Sequence, residues 1–195
     1  MITTKSATFP FGIAATSAVW NPVTNKAYIF GGNGNQGFSP KNHSIYEYDP
    51  ATDMLSTKNG TLADPNAPNG PPTTSFSSIP IEYTSAAWNP RHNTTYVFGH
   101  NSGDEATYKV FEYDHVTDKA TLVGWSYHNN RTGDSAIFNS VANKGYVFGG
   151  SFTLQQIHQN DILEFNPTAS YPSQAIYPTN MGLVQDRTQA SVVWD

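Results

Sequence analysis

Carboxylates and aromatic rings recur together in this chain. Glu47-Tyr48-Asp49 and Glu112-Tyr113-Asp114 repeat one short segment, and Glu164-Phe165-Asn166 is an edited third version. Two carboxylates this close could share general acid–base work. Recurrence argues for a structural job instead. A reaction needs one such pair, whereas a repeated fold needs the same turn amides satisfied in every copy. Six histidines (His43, His92, His100, His115, His128 and His158) are scattered, with no i, i+2 or i+4 pair. They read as solvated loop positions, not as metal ligands. There is no cysteine, which removes disulfides, thiolate metal sites and cysteine nucleophiles. No H-E-x-x-H, G-x-S-x-G or phosphate-binding loop is present. The expectation is therefore no cofactor, no metal and no catalytic residue, and the sequence leans away from an enzyme.

The elements that would position such residues are short. Of 195 residues, 37% are hydrophobic and 13% aromatic, enough for one domain with a core. Charged residues make up only 13%, about half the usual share, so long exposed helices are not expected. Thr, Ser, Asn, Gly, Pro and Tyr suggest short strands and many turns. The net charge is −5, with no Lys/Arg cluster, so nucleic acid is a poor partner. No apolar run reaches bilayer length, so no membrane insertion is expected. The N-terminal stretch lacks a hydrophobic signal core. Sequons at Asn42, Asn59, Asn93 and Asn130 leave the compartment open, tilting toward a secreted or cell-surface setting.

One string organises the chain. "KAYIFGG" (26–32) returns as "TTYVFGH" (94–100) and "KGYVFGG" (144–150). Upstream of each stands "TSAVWNP" (16–22), "TSAAWNP" (84–90) or "DSAIFNS" (134–140), and downstream "SIYEYDP", "KVFEYDH" or "DILEFNP". A fourth upstream segment, "ASVVWD", occupies 190–195. Each unit reads as four strands: the S-A-x-[WF] segment, the Y-[IV]-F-G segment, the acidic–aromatic segment, and a weaker fourth near 53–60, 119–125 and 173–180. The second strand is apolar on both faces and is expected to be buried on both. Trp20, Trp88, Phe138 and Trp194 share one repeat position and read as core. "TTKSATFP" (3–10) resembles a fourth strand belonging to an earlier unit.

The residues Tyr28, Phe30, Gly31 and Gly32, with Tyr96, Phe98 and Gly99 and with Tyr146, Phe148, Gly149 and Gly150, resemble kelch repeats. The resemblance covers nearly the whole chain and implies an all-β, kelch-type β-propeller of about three four-stranded antiparallel blades, a partial propeller. Blades are expected at about 16–80, 84–130 and 134–186 within one domain spanning 1–195, with 190–195 starting a further blade. Departures are His100 in place of the second glycine, and Leu55 and Leu122 where kelch units often carry tryptophan. Galactose-oxidase-like copper enzymes, which resemble kelch propellers, need a cysteine that this chain lacks. The metal motif of the specifier proteins is absent as well. Three blades leave two open faces, so the chain is expected to be a piece of a longer ring or to form a homodimer.

By the same resemblance, ligand sites lie just after the glycine pair and just before the first strand. Here those positions are Asn33, Asn35, Tyr83, His100, Asn101, Arg131, Ser151, Phe152 and Arg187. The implied function is a non-catalytic binding or scaffold module that recognises a protein or peptide through its loop face. The alternative is part of a secreted glycan-binding or carbohydrate-active propeller whose active residues lie on other blades.

Overall fold

The structure, a computed structural model, describes residues 2–34, 44–62, 81–101, 104–126, 131–152, 159–169 and 177–187. All regular structure in these segments is strand. The first sheet contains β2 (Ser17–Asn21), β3 (Lys26–Phe30), β5 (Ser44–Asp49) and β6 (Met54–Thr61), with a short ladder between β1 (Ile13–Ala14) and β4 (Asn33–Gly34) at its end. The second contains β7 (Ile81–Asn89), β8 (Thr94–Asn101), β9 (Asp104–Asp114) and β10 (Lys119–Ser126). The third contains β12 (Ser135–Asn139), β13 (Lys144–Phe148), β15 (Gln159–Phe165) and β16 (Tyr177–Arg187), with a ladder between β11 (Arg131–Thr132) and β14 (Ser151–Phe152). Each sheet is an antiparallel meander whose strands neighbour one another in chain order. Segment 190–195 and its Ser191 and Trp194, and the loop at 63–80, lie outside the described residues.

Turn chemistry fixes the meander. Between the first two strands of each sheet an asparagine adopts a left-handed conformation: Asn25, Asn93 and Asn143, with φ of 54–55°. Four residues earlier, Asn21 and Asn139 each accept two turn amides on Oδ1, and Asn89 accepts one. At the third-to-fourth turn, Asp49, Asp114 and Asn166 accept turn amides in the same way. The acidic–aromatic segment therefore does cap turns. Its glutamate works across strands: Glu47 accepts from Lys26 Nζ and the Tyr28 hydroxyl, both at 2.7 Å.

Alternation along the second strands sets the stacking. Tyr28 and Phe30 pack against Tyr113 of the second sheet, with ring centroids 5.9 and 5.7 Å apart. Tyr96 packs on Phe138, and Phe98 on Phe165, of the third sheet. Val97, on the opposite face of β8, belongs to the core shared with the first sheet. Thr94 through Gly99 are buried without a break, whereas β3 and β13 are buried only at alternate positions. Burial on both faces thus holds for the middle sheet alone. The first and third sheets each have one neighbouring sheet among the described residues. Trp20 corrects the expectation of a core position: it is 49% exposed, while Phe138, its counterpart in the third sheet, is 6% exposed. Its indole lies on the face of the first sheet that no described sheet covers.

The N-terminal segment is not a strand, yet it mimics one. Ser6 donates its backbone N–H and its hydroxyl to Asp53 Oδ2, at 2.8 and 2.7 Å. Asn59, on β6, donates its N–H and its side-chain amide to Asp118 Oδ2, both at 3.0 Å. Three residues further on, Phe9 packs edge-on against Tyr46, as buried Leu62 joins the cluster around Phe111. Residues 6–9 therefore hold to the first sheet as 59–62 hold to the second. Ser6 keeps the Asp53 carboxyl down at about 2.

The glycine pairs break the second strand in two sheets. Gly31 and Gly32 have φ of 62° and 108°, and Gly149 and Gly150 have 63° and 102°. In the second sheet His100 replaces the second glycine, and β8 runs on to Asn101. A Cβ on Gly32 would lie 2.5 Å from Thr16 Cγ2 and 2.9 Å from the Ala14 carbonyl. Gly32→Ala should destabilise the protein by roughly 2 kcal/mol or more, lowering the melting temperature by several degrees. Urea titration measures this, and an unchanged midpoint would contradict the assigned backbone.

Candidate functional site

The two ends of the sheets differ. In the first two sheets one end carries only tight turns. At the other, the first strand starts, the second ends, the third starts and the fourth ends, as the register shows. Loops on a rigid scaffold are where ligand contacts concentrate. The expected site residues fall at this second end. Asn33, Asn101 and Ser151 occupy one repeat position, paired with Ala14, Ile81 and Thr132 respectively. His100 pairs with Glu82, and Phe152 with Arg131. Arg187 ends β16 opposite Gln159, at the same end but on the outermost strand. Asn35 lies outside the described residues.

Tyr83 stands out among them. It adopts φ of 50° and is 39% exposed. Its counterparts are Ala15 (φ 56°) and Gly133 (φ 67°), so the left-handed conformation belongs to the position and not to the residue. A bulky side chain there is uncommon. The ring is thereby carried on a bulge of β7, between Glu82 and Ser85.

Arg131 has a different place from the one expected of a ligand contact. Its side chain is fully buried. Nη1 donates to the Gly149 carbonyl at 2.7 Å, and Nη2 donates to both Asp161 oxygens at 2.6 and 2.7 Å. The guanidinium ties β11 to the glycine bend and to β15. Removing it would leave a carboxylate and a buried carbonyl without their donor, so the substitution disturbs the fold.

Next to it lies a buried polar group that the sequence reading passed over. Asp134 Oδ2 accepts from the Tyr108 hydroxyl at 2.5 Å, and Ser85 sits beside both. Asp134 Oδ1 has no hydrogen-bond partner among the described residues. Burial pushes the Asp134 carboxyl up to about 6, against the pull of the Tyr108 hydroxyl and the Arg131 charge. The matching position between the first two sheets is Thr84, whose hydroxyl donates to the Phe30 carbonyl at 3.0 Å and accepts from Ser17 at 2.8 Å. At this repeat position one junction thus carries a neutral hydroxyl and the other a titratable carboxyl. The signal was present in sequence as Asp134 standing where Thr16 and Thr84 precede the S-A pair.

His115 corrects the solvated-histidine reading. It stacks edge-on against Tyr28, Trp88 and Tyr113, with its Nε2 2.8 Å from Thr95 Oγ1. Burial keeps it neutral, lowering its pKa to about 4. Among the described residues no three His, Cys, Asp or Glu side chains are grouped so as to hold a metal. Among the described side chains at this end, Tyr83 is an exposed aromatic ring. No family model and no curated protein matches the chain.

The two buried groups pull stability in opposite directions with pH. Asp134 keeps its proton in the folded state up to about pH 6, while the unfolded chain loses it near 4. Its contribution is full below pH 4 and is lost as pH rises through 6. His115 stays neutral in the fold down to about 4, and its contribution is lost as pH falls below about 6.5. Asp134→Asn should remove the first slope and leave the second, so that the variant gains on the parent between pH 4 and 7 by up to roughly 3 kcal/mol. Urea midpoints across this range check it. Parallel profiles would contradict the assignment.

Proposed function

We propose that the chain is a kelch-type β-propeller segment acting as a non-catalytic binding module, which recognises a protein or peptide through its loop end. The observation that carries the reading is the clustering of Asn33, Tyr83, His100, Asn101, Ser151 and Phe152 at one end of three repeated sheets. Radial repetition supports the propeller: β2 neighbours β7 and β7 neighbours β12, so the first strands lie innermost, while β6 meets β10 further out. One repeat position is asparagine, asparagine and serine in successive sheets, and Tyr83 lies at the same end. Amide and hydroxyl groups with one tyrosine suit an extended peptide backbone, since tyrosine supplies contact area at low entropic cost. Arg131 drops out of the proposed contact set, and Asn35 and Arg187 stay in it on sequence position alone. A glycan ligand remains the second reading, because the same amide groups and ring would suit a sugar.

Selection of a displayed peptide library on the purified chain, run in parallel with a glycan array, tests the proposal. A recovered peptide whose binding depends on Tyr83 supports it. Glycan binding without peptide binding would overturn it in favour of the second reading. Tyr83→Ala is the diagnostic variant, because Ala15 already occupies this conformation in the first sheet. It should keep the parent's melting temperature within about 2 °C and weaken peptide binding about tenfold or more. Unchanged affinity would remove Tyr83 from the site.

A further inference from the structure

We infer that a second copy of this chain docks head-to-tail, the far face of its third sheet against the uncovered face of the first. The chain already builds this interface twice. In both junctions a Tyr-x-Phe pair on the second strand of one sheet enters the face of the next, which bears the Trp20/Trp88/Phe138 position. Each junction leaves its donor pair almost fully buried: Tyr28 and Phe30 in one, Tyr96 and Phe98 in the other.

Among the described residues the molecule also carries both halves of a third such junction, unjoined. Tyr146 and Phe148 repeat the donor pair on β13, and here both are only half-buried. Trp20 repeats the acceptor position on β2 and is half-exposed, with Ala18 and Ile29 beside it on the same face. The outer part of that acceptor face is already covered, since Phe9 lies on Tyr46 and Ser6 holds Asp53. What the described residues leave open is the inner part, on β2 and β3. It matches the inner strands β12 and β13 of a second copy. Phe9, Phe11 and Ile13 of the N-terminal segment line an open cleft of about 560 Å³.

Donor and acceptor lie on different faces of one chain, so the contact is heterologous. Two copies that satisfy each other reciprocally bury both faces and close into a ring of six sheets. Leaving large aromatic surface open to water is the unfavourable alternative.

Light scattering on a size-exclusion column, with the purified chain at up to about 100 μM, tests this at concentrations well above a micromolar affinity. The expected mass is twice 21.3 kDa. Trp20→Lys spoils the acceptor and Tyr146→Lys the donor, so each variant alone should weaken association at least tenfold. Ile29→Lys on the same acceptor face is the second variant should Trp20→Lys fail to fold, as judged by circular dichroism. Mixing the acceptor variant with the donor variant leaves one intact donor and one intact acceptor, and should restore a dimer. A parent that stays at 21.3 kDa throughout would overturn the inference. So would self-association that neither substitution changes, or a mixture that stays monomeric.

Discussion

Each sheet is held to the next by two aromatic rings, two positions apart on its second strand. Because side chains alternate along a strand, Tyr28 and Phe30 must leave the first sheet on one side while Ile29 leaves on the other. A slip of one residue would exchange these sets and empty the junction with the second sheet. The register of β3 against β2 and β5 is therefore fixed by the packing it serves. A buried Phe is worth about 1.5–3 kcal/mol against an exposed one, so the two filled junctions outweigh any single turn or ion pair. The same alternation explains why β8 is buried throughout and why β3 and β13 are not.

Polar bonds trim this stack more than they hold it. Asp53 and Asp118 each sit at a left-handed turn, take a tyrosine hydroxyl from their own sheet, and catch the outer segment that precedes it. Near the inner strands the two junctions part company. Thr84 closes the first with neutral hydroxyl bonds, whereas Asp134, Tyr108 and Arg131 place ionisable groups in the second. A carboxyl kept protonated by burial makes the second junction the acid-preferring one.

Much of this was legible in the sequence. The recurring Y-[IV]-F-G string, with its neighbours, placed all three meanders and the order of their strands. The Asn and Asp turn positions followed from residues that cap their own turns. The site was harder to read. Repeat position alone brought Asn33, Asn101 and Ser151 to one end, because register carries such information. It could not tell that Arg131 points inward. Its burial depends on Asp161, thirty positions away, which has no charged counterpart in a role of this kind in the first sheet, where Ser44 stands. His115 was misplaced for a related reason. As a turn residue it should face water, but the rings of Tyr28 and Tyr113 enclose it from two different sheets. Exposure at Trp20 was likewise invisible, since one repeat position can be core or surface depending on whether a neighbour is there.

The stacking order is the claim on which the proposed propeller and its loop-end ligand site both rest. A double-mutant cycle across one junction tests it most directly: Phe98→Leu and Phe165→Leu, singly and together, by urea unfolding. The rings meet edge-on with centroids 5.8 Å apart. The stacking assigned here predicts a coupling of about 1 kcal/mol between them. Strict additivity of the two substitutions would contradict it.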